Sequence, residues 1–176
     1  MSPETSKFTY EKIVRLDKLE EILRSYQREG KTVGLITGVF DILHVGHIRL
    51  VRFAKKNTDI LVVGVEQDET VKLSKGPKSP VNSLAARCDV LSALYSVDYI
   101  FAIPSVFKYG TNVADEQLAQ IYRRVMPDFL ITNITVDTFW ERKRISAQDL
   151  GIGFLGQVAP KDNSSSLISQ KIQEEI

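Results

Sequence analysis

The chain has two histidines, His44 and His47, and they stand three residues apart in the stretch TGVFDILHVGH. Imidazoles bind metals, relay protons or donate hydrogen bonds to anions. This spacing places both rings on one side of a helical turn, within reach of one ligand. A zincin motif needs two histidines four residues apart with a glutamate between them, so we do not predict that this pair binds metal. Packing of both rings at a helix end stays as the alternative interpretation.

The residues around the histidines predict the backbone that holds them. The apolar, β-branched run TVGLIT (32–37) is typical of a buried strand, and HIRLVRFAKK returns to helical spacing. We therefore predict a strand, a loop from Gly38 and a helix from about Val45. Gly38 lets the backbone approach a ligand, Gly46 leaves space between the imidazoles, and a helix start offers free N–H groups. Together these features predict an anion site suited to phosphate.

Strand-like and helix-like segments alternate along the rest of the chain. The predicted strands are DILVVGV, VDYIFAI, DFLIT and IGFLGQVA, and the predicted helices are LDKLEEILRSYQRE ending at Gly30, a segment capped by Asn82 or Ser83, ADEQLAQIYRRV, VDTFWERKRISAQDLG and SLISQKIQEEI. This order predicts an α/β fold, a Rossmann-like parallel sheet with helices on both faces. In such sheets ligands bind at the carboxyl ends of the strands, where the chain order reverses.

Length and composition predict one domain over residues 1–176, with a leading helix in 1–30 packed on it and a terminal helix in 163–176. The 176 residues are 43% hydrophobic, and 23 Lys+Arg oppose 22 Asp+Glu for a net charge of +1. A chain this close to neutral has no global field for nucleic acid or membrane, so we expect a small anionic partner. It lacks signal-peptide and membrane-span patterns, so we expect a cytoplasmic location.

Three further features receive ordinary structural interpretations. Cys88 is the single cysteine, which excludes an internal disulfide and indicates a buried inert thiol. GIGFLG (151–156) satisfies G-x-G-x-x-G, but it follows a predicted helix and overlaps a strand, so Gly151 is interpreted as a helix terminator. Phe139 and Trp140 are expected to pack, with the lining of an acceptor pocket as the alternative.

The stretch GVFDILHVGHIRLVRFAKK resembles the first motif of the HxGH nucleotidyltransferases, within the cytidylyltransferase-like family. That family includes glycerol-3-phosphate cytidylyltransferase and the adenylyltransferase domain of ADP-heptose synthase. The order and spacing of GKTVGLITGVFDILHVGH and LVVGVEQDETVKLSKGPKSPVNSLAARCDVLSALYSVDYIF are most similar to the heptose-phosphate adenylyltransferase domain. NSSSLISQKI is similar to the family's second motif. The resemblance covers nearly the whole chain and implies transfer of a nucleotidyl group to a phosphorylated small molecule, with release of pyrophosphate.

The resemblance also implies roles for individual residues. His44, His47 and Lys75, the family's mobile-loop lysine, are the catalytic candidates. The nucleotide-binding candidates are Gly38, Val39, Phe40, Gly46, Lys72, Arg87, Ser164, Ser165 and Ser166. A solvated loop charge is the alternative for Lys72 and Lys75, and N-capping is the alternative for the serines.

The resemblance leaves the roles of Asp41 and Arg87 open. It also implies a magnesium ion and two protein partners. Asp41 either orients the loop or meets the acceptor. Arg87 binds phosphate or ties a dimer, or else forms a surface salt bridge. Mg²⁺ is expected with the triphosphate and not at a protein metal site. A homodimer and a separate sugar kinase as partner are further implications.

The chain departs from the family pattern after MPDFLI. Thr132 to Thr135 stand where heptose and glycerol enzymes usually have Lys-Gly or Met-Gly and an acidic residue, and no arginine opens the segment before the serines. We therefore expect ATP rather than CTP, with a sugar phosphate such as heptose 1-phosphate as acceptor. The alternatives are a cytidylyltransferase using CTP with glycerol 3-phosphate or a similar polyol phosphate, and a nucleotide-binding relative without turnover.

Overall fold

The computed structural model describes residues 11–159 and residue 168. Within them the helices are α1 (Leu16–Arg28), α2 (Val45–Asn57), α3 (Asp68–Lys75), α4 (Leu84–Ser92), α5 (Asn112–Val125) and α6 (Trp140–Asp149). The strands are β1 (Val33–Gly38), β2 (Ile60–Val65), β3 (Tyr99–Ala102), β4 (Phe129–Asn133) and β5 (Gly153–Gln157). Ser164, Ser165, Ser166 and the predicted terminal helix lie outside the described residues, apart from Ile168, which is helical.

The five strands form one parallel sheet in the order β3-β2-β1-β4-β5. The chain runs outward from β1 to β3, then returns past β1 to form β4 and β5. The strand order therefore reverses between β1 and β4, and a ligand crevice is expected at their carboxyl ends. The predicted Rossmann-like sheet is confirmed.

Alternation along the strands builds two cores, one on each face of the sheet. On β1, Leu35 packs with α1, α5 and α6, whereas Ile36 packs on the other face with α2 and α4. Leu61 and Val62 of β2 divide in the same way. Strands buried on both faces need apolar residues at every position, and β2 is buried throughout. Helices therefore cover both faces, as predicted.

The segment after β2 differs from expectation. Residues 68–75 form helix α3, with Asp68 and Glu69 in its first turn and Gly76 ending it at φ 96°. The sequence predicts a loop at Lys72 and Lys75, because a helix of only two turns is too short to give a clear apolar period. Ser83 caps α4 as predicted, since its hydroxyl accepts a hydrogen bond from Ala86 N–H at 3.4 Å. Within the described residues, no helix is long and apolar enough to cross a membrane.

Candidate active site

The turn between β1 and α2 is built around a strained aromatic residue. Phe40 has φ 52°, in the left-handed region, and its ring is only 4% exposed. Such a conformation costs a phenylalanine about 1 to 3 kcal/mol and persists only where packing fixes it. The ring packs beside His47, with centroids 5.3 Å apart, and a Cβ added at Gly38 would lie 3.3 Å from it. Phe40 thus holds the turn and crowds position 38, whereas the predicted approach of a ligand to the Gly38 backbone remains a prediction.

His44 ends the turn and caps α2. Its Nδ1 accepts a hydrogen bond from Gly46 N–H at 3.1 Å, so a neutral His44 carries its proton on Nε2. The rings of His44 and His47 lie 4.0 Å apart between centroids, as predicted for one side of a turn. A Cβ at position 46 would come within 2.8 Å of the His44 ring. A side chain at position 46 would therefore displace the His44 ring that forms the cap.

Burial disfavours the charged form of both imidazoles. Burial, the nearby His44 and the Lys75 ammonium lower the pKa of His47 from 6.5 to about 4. Burial also lowers the pKa of His44. The Nδ1 atom of His47 is buried and has no hydrogen-bond partner among the described residues. A neutral imidazole still donates one N–H, so the pair can stabilise an anion, and a bound anion would raise both pKa values.

A cleft of about 540 Å³ opens over the carboxyl ends of β1, β2 and β4. It lies where the strand order reverses. His47 lines the cleft. His44 does not line it but contacts the His47 ring. The other lining residues come from β1 and the turn after it, α2, the end of β2, the end of α3, the segment before α5, β4 with the segment after it, and α6. They are Ile36, Thr37, Gly38, Val39, Phe40, Asp41, Leu50, Glu66, Ser74, Lys75, Tyr109, Thr132, Asn133, Val136, Asp137, Thr138, Phe139 and Lys143.

The two candidate lysines separate in the structure. Lys75 is the last residue of α3, is exposed, and lines the cleft close enough to His47 to lower its pKa. Lys72 lies earlier on the same helix, 3.9 Å from Glu69, and is not among the residues lining the cleft. The site therefore contains Lys75, whereas Lys72 matches the solvated alternative.

Asp41 takes the first of its two predicted roles. Its carboxylate accepts hydrogen bonds from Val81 N–H at 2.9 Å and Asn82 N–H at 2.8 Å, and its carbonyl accepts one from the Asn82 side chain at 3.0 Å. These bonds fasten the loop after α3 to the β1–α2 turn. Asp41 also lines the cleft, so the predicted contact with an acceptor remains a prediction.

The predictions for Arg87 require correction. Its side chain is fully buried and donates hydrogen bonds to the carbonyls of Asn82, Val39 and Glu66 and to the Asp68 carboxylate at 2.8 Å. A guanidinium without exposed surface contacts neither phosphate nor a partner subunit, and the surface salt bridge is equally wrong. Arg87 instead ties the ligand-facing turn to the end of β2 and the start of α3. Five fixed donors suit it to this task.

The cleft floor contains buried ionisable residues that the sequence analysis missed. Lys143 pairs with Asp137 at 2.8 Å and lies 3.4 Å from the Thr37 carbonyl. Burial disfavours the charged form of both side chains. Each partner nevertheless stabilises the charge of the other, so that the pKa of Lys143 is raised and the pKa of Asp137 is lowered. Glu66 is 2% exposed and accepts a hydrogen bond from Tyr109. Burial raises its pKa. No local motif marks these residues, because Glu66 and Tyr109 lie 43 residues apart and Asp137 precedes the helix that carries Lys143.

The remaining interpreted residues lie close to expectation. Cys88 is buried, and burial raises the pKa of its thiol, as for an inert cysteine. Gly151 follows α6 with φ 70°, consistent with a helix terminator, so the dinucleotide motif is a coincidence. Phe139 stacks on Tyr109 with centroids 5.0 Å apart and lines the cleft. Trp140 packs near Phe154.

A family model described as cytidylyltransferase-like matches residues 35–171, which include the turn, both histidines and Lys75. The chain belongs to the cytidylyltransferase-like family. Among curated relatives, the bifunctional protein HldE of Rhodopseudomonas palustris (strain TIE-1) is 41% identical over 130 residues, which cover 73% of this chain and 24% of that protein. HldE of Wolinella succinogenes is 30% identical over 168 residues, which cover 93% of this chain and 31% of that protein. The chain thus spans less than a third of these relatives.

A solved structure supports the same fold. The lipopolysaccharide core biosynthesis protein from Thermoplasma volcanium GSS1 superposes with a TM-score of 0.57 at 26% identity, covering 75% of this chain and 99% of that one. The family and the fold agree with the resemblance read from the HxGH motif.

Proposed function

We propose that this chain is an adenylyltransferase that transfers the adenylyl group of ATP to a sugar phosphate and releases pyrophosphate. The observation that supports it is the imidazole pair at the start of α2, in which His47 lines a cleft at the strand-order reversal and His44 contacts His47. Free N–H groups and the positive end of a helix dipole favour an anion there. The family membership supports nucleotidyl transfer in particular.

The chemistry needs no general base from the protein. A phosphate monoester has its second pKa near 6 and is already an anionic nucleophile at neutral pH. Its oxygen forms a new bond to the α-phosphorus of ATP while the bond from that phosphorus to the bridging β-oxygen breaks, and pyrophosphate leaves. Positioning and charge stabilisation then provide the catalysis.

The described residues fit this division of work. The neutral His44 retains an Nε2–H donor, and His47 lies against it in the cleft. Each hydrogen bond that strengthens as charge develops on the phosphate is worth about 3 to 4 kcal/mol, by analogy with an oxyanion-hole donor. Lys75, at the end of α3, is the cation near the leaving pyrophosphate.

We also propose that Mg²⁺ arrives with the triphosphate. Within residues 11–159 and 168, no group of three His, Cys, Asp or Glu side chains could hold a metal, and both carboxylate oxygens of Asp41 accept backbone hydrogen bonds. This donor set fits a cation carried mainly by phosphate oxygens. Bound there, Mg²⁺ would neutralise charge on the phosphates, while the histidines and Lys75 orient them.

The choice of ATP and of a sugar phosphate rests on two observations. Two HldE relatives are 41% and 30% identical to this chain, and its first motif resembles that of the adenylyltransferase domain of ADP-heptose synthase. Thr132 to Thr135 depart from the usual family pattern, and Thr132 and Asn133 line the cleft together with Asp137 and Lys143. A relative that binds nucleotide without turnover is the second candidate, favoured only by that altered segment.

The test is pyrophosphate release from ATP, CTP, GTP and UTP across a panel of sugar and polyol phosphates. We expect turnover with ATP and at least one sugar phosphate. A strong preference for CTP with glycerol 3-phosphate would contradict the nucleotide and acceptor assignments. ATP binding without release on any acceptor would instead support the non-catalytic relative.

A further inference from the structure

The floor of the cleft holds an acidic group whose hydrogen bonding is incomplete. Glu66 is 2% exposed, at the end of β2. One carboxylate oxygen, Oε1, accepts a hydrogen bond from Tyr109, whereas Oε2 is buried without a partner among the described residues. A buried polar atom left unpaired is costly, so native proteins usually provide it with a partner. Glu66 lines the cleft, where a ligand can be that partner.

The neighbouring cations leave Glu66 Oε2 without a direct partner among the described residues. Lys143 is committed to Asp137 at 2.8 Å and to the Thr37 carbonyl. The buried Arg87 guanidinium binds the Glu66 carbonyl and the Asp68 carboxylate, and Lys75 is exposed. All three cations lower the pKa of Glu66 through space, against the effect of burial. A buried carboxylate oxygen without a partner attracts hydrogen-bond donors and repels further anions.

The two ends of the cleft thus suit different parts of one acceptor. The α2 start and Lys75 favour phosphate groups, whereas the Glu66 end disfavours them. Hydroxyl groups are neutral donors, and the last torsion of a glutamate is soft, so the carboxyl can turn towards one at little cost. A phosphorylated polyhydroxyl compound satisfies both ends. A phosphorylated acid places a second anion against Glu66.

Resting on the proposed function, we propose that Glu66 is a specificity-determining residue that accepts a hydrogen bond from a hydroxyl of the acceptor and rejects acceptors carrying a carboxylate there. Tyr109 holds the other carboxylate oxygen, and Lys143 forms its ion pair with Asp137 and not with Glu66. The acceptor class is a sugar or polyol phosphate with a free hydroxyl beyond the phosphate.

The test compares Glu66→Gln with wild type, using Glu69→Gln on exposed α3 as the matched control. Acceptor and ATP KM values are measured with a sugar phosphate, its monodeoxy analogues and a phosphorylated sugar acid, and acceptor binding is measured by calorimetry. We expect Glu66→Gln to raise the acceptor KM about ten- to hundredfold, the range for a hydrogen bond to a charged group, and to leave the ATP KM within twofold. In wild type, the analogue that lacks the hydroxyl bound by Glu66 should have a higher KM than the parent sugar phosphate, and in Glu66→Gln this difference should disappear. The sugar acid should bind Glu66→Gln more tightly than it binds wild type.

If Glu66→Gln does not fold, Tyr109→Phe tests the same hydrogen bond between Glu66 and the acceptor. Tyr109→Phe retains the carboxylate, so we expect a few-fold higher acceptor KM and retained discrimination against the deoxy analogue. If wild type turns over but Glu66→Gln has the same acceptor KM and the same loss of activity with the deoxy analogue, this inference is overturned. The proposed function would still stand. Absence of both turnover and acceptor binding in wild type would overturn the two together.

Discussion

Two parts of the cleft reach their geometry by opposite routes. The turn from Thr37 to His47 is continuous in sequence, and its hydrogen bond, ring contacts and glycine requirements all lie within it. The floor is assembled from Glu66 after β2, Tyr109 before α5, and Asp137 and Lys143 around the start of α6. The chemistry of a local motif can be predicted from the sequence. The residues of a floor made from separate segments can be identified only in the folded structure. We therefore expect turn variants to change activity more than stability, and variants of the buried floor pair to change stability strongly.

The largest expected effect is on stability, from the floor. Lys143→Met leaves Asp137 buried without its cation, which should lower the free energy of unfolding by about 3 to 5 kcal/mol. Urea denaturation measures it. The double variant Lys143→Met, Asp137→Asn removes both charges and should recover much of the loss. Equal destabilisation in the single and double variants would mean that packing, not the unpaired charge, is responsible.

The next effect is on turnover, from the turn. His47→Ala removes an imidazole from the cleft and should lower kcat about 10²- to 10³-fold. Val45→Ala, on the exposed side of the same helical turn, is the control and should retain wild-type kcat. Steady-state pyrophosphate release measures both. Activity within a few-fold of wild type in His47→Ala would show that the imidazole is only a packing residue.

A third effect follows from the lowered pKa of His47. Between pH 6.5 and about 4 the unfolded chain binds a proton that the folded His47 does not, so acid favours unfolding. This group's contribution is fully present above pH 6.5 and is lost as pH falls towards 4, by at most about 3 kcal/mol. The difference in unfolding free energy between wild type and His47→Gln, measured by denaturation at each pH, separates the contribution of His47 from that of the carboxylates. A difference that does not change with pH would mean that His47 titrates normally.

The smallest effect sharpens the steric account of the turn. In Gly46→Ala the new methyl would lie 2.8 Å from the His44 ring, so the ring must move. Alanine gains about 1 kcal/mol of helix propensity over glycine, which offsets part of the clash. We expect stability within about 1 kcal/mol of wild type and kcat lowered about tenfold. Unchanged kcat would show that the position of the His44 ring does not matter.

The same contrast explains what the sequence could predict. Apolar runs fixed the parallel sheet, and the spacing of His44 and His47 placed them on one turn, because both signals are local. Arg87 was misassigned because a charged residue is usually exposed, and only the fold shows that it meets three carbonyls at once. Helix α3 was too short for its period to be seen. Lys143 and Glu66 were missed because their partners lie 6 and 43 residues away.

The central claim, that the imidazole pair meets the phosphates of a nucleotide, is tested most directly by NMR. The untagged chain has only two histidines, so its imidazole signals are few. We expect pH titration to give His47 a pKa of about 4 in the free protein, and saturating Mg·ATP to shift both imidazole signals and raise that pKa. Nucleotide binding shown by calorimetry, with both imidazole signals and the pKa of His47 unmoved, would contradict the claim.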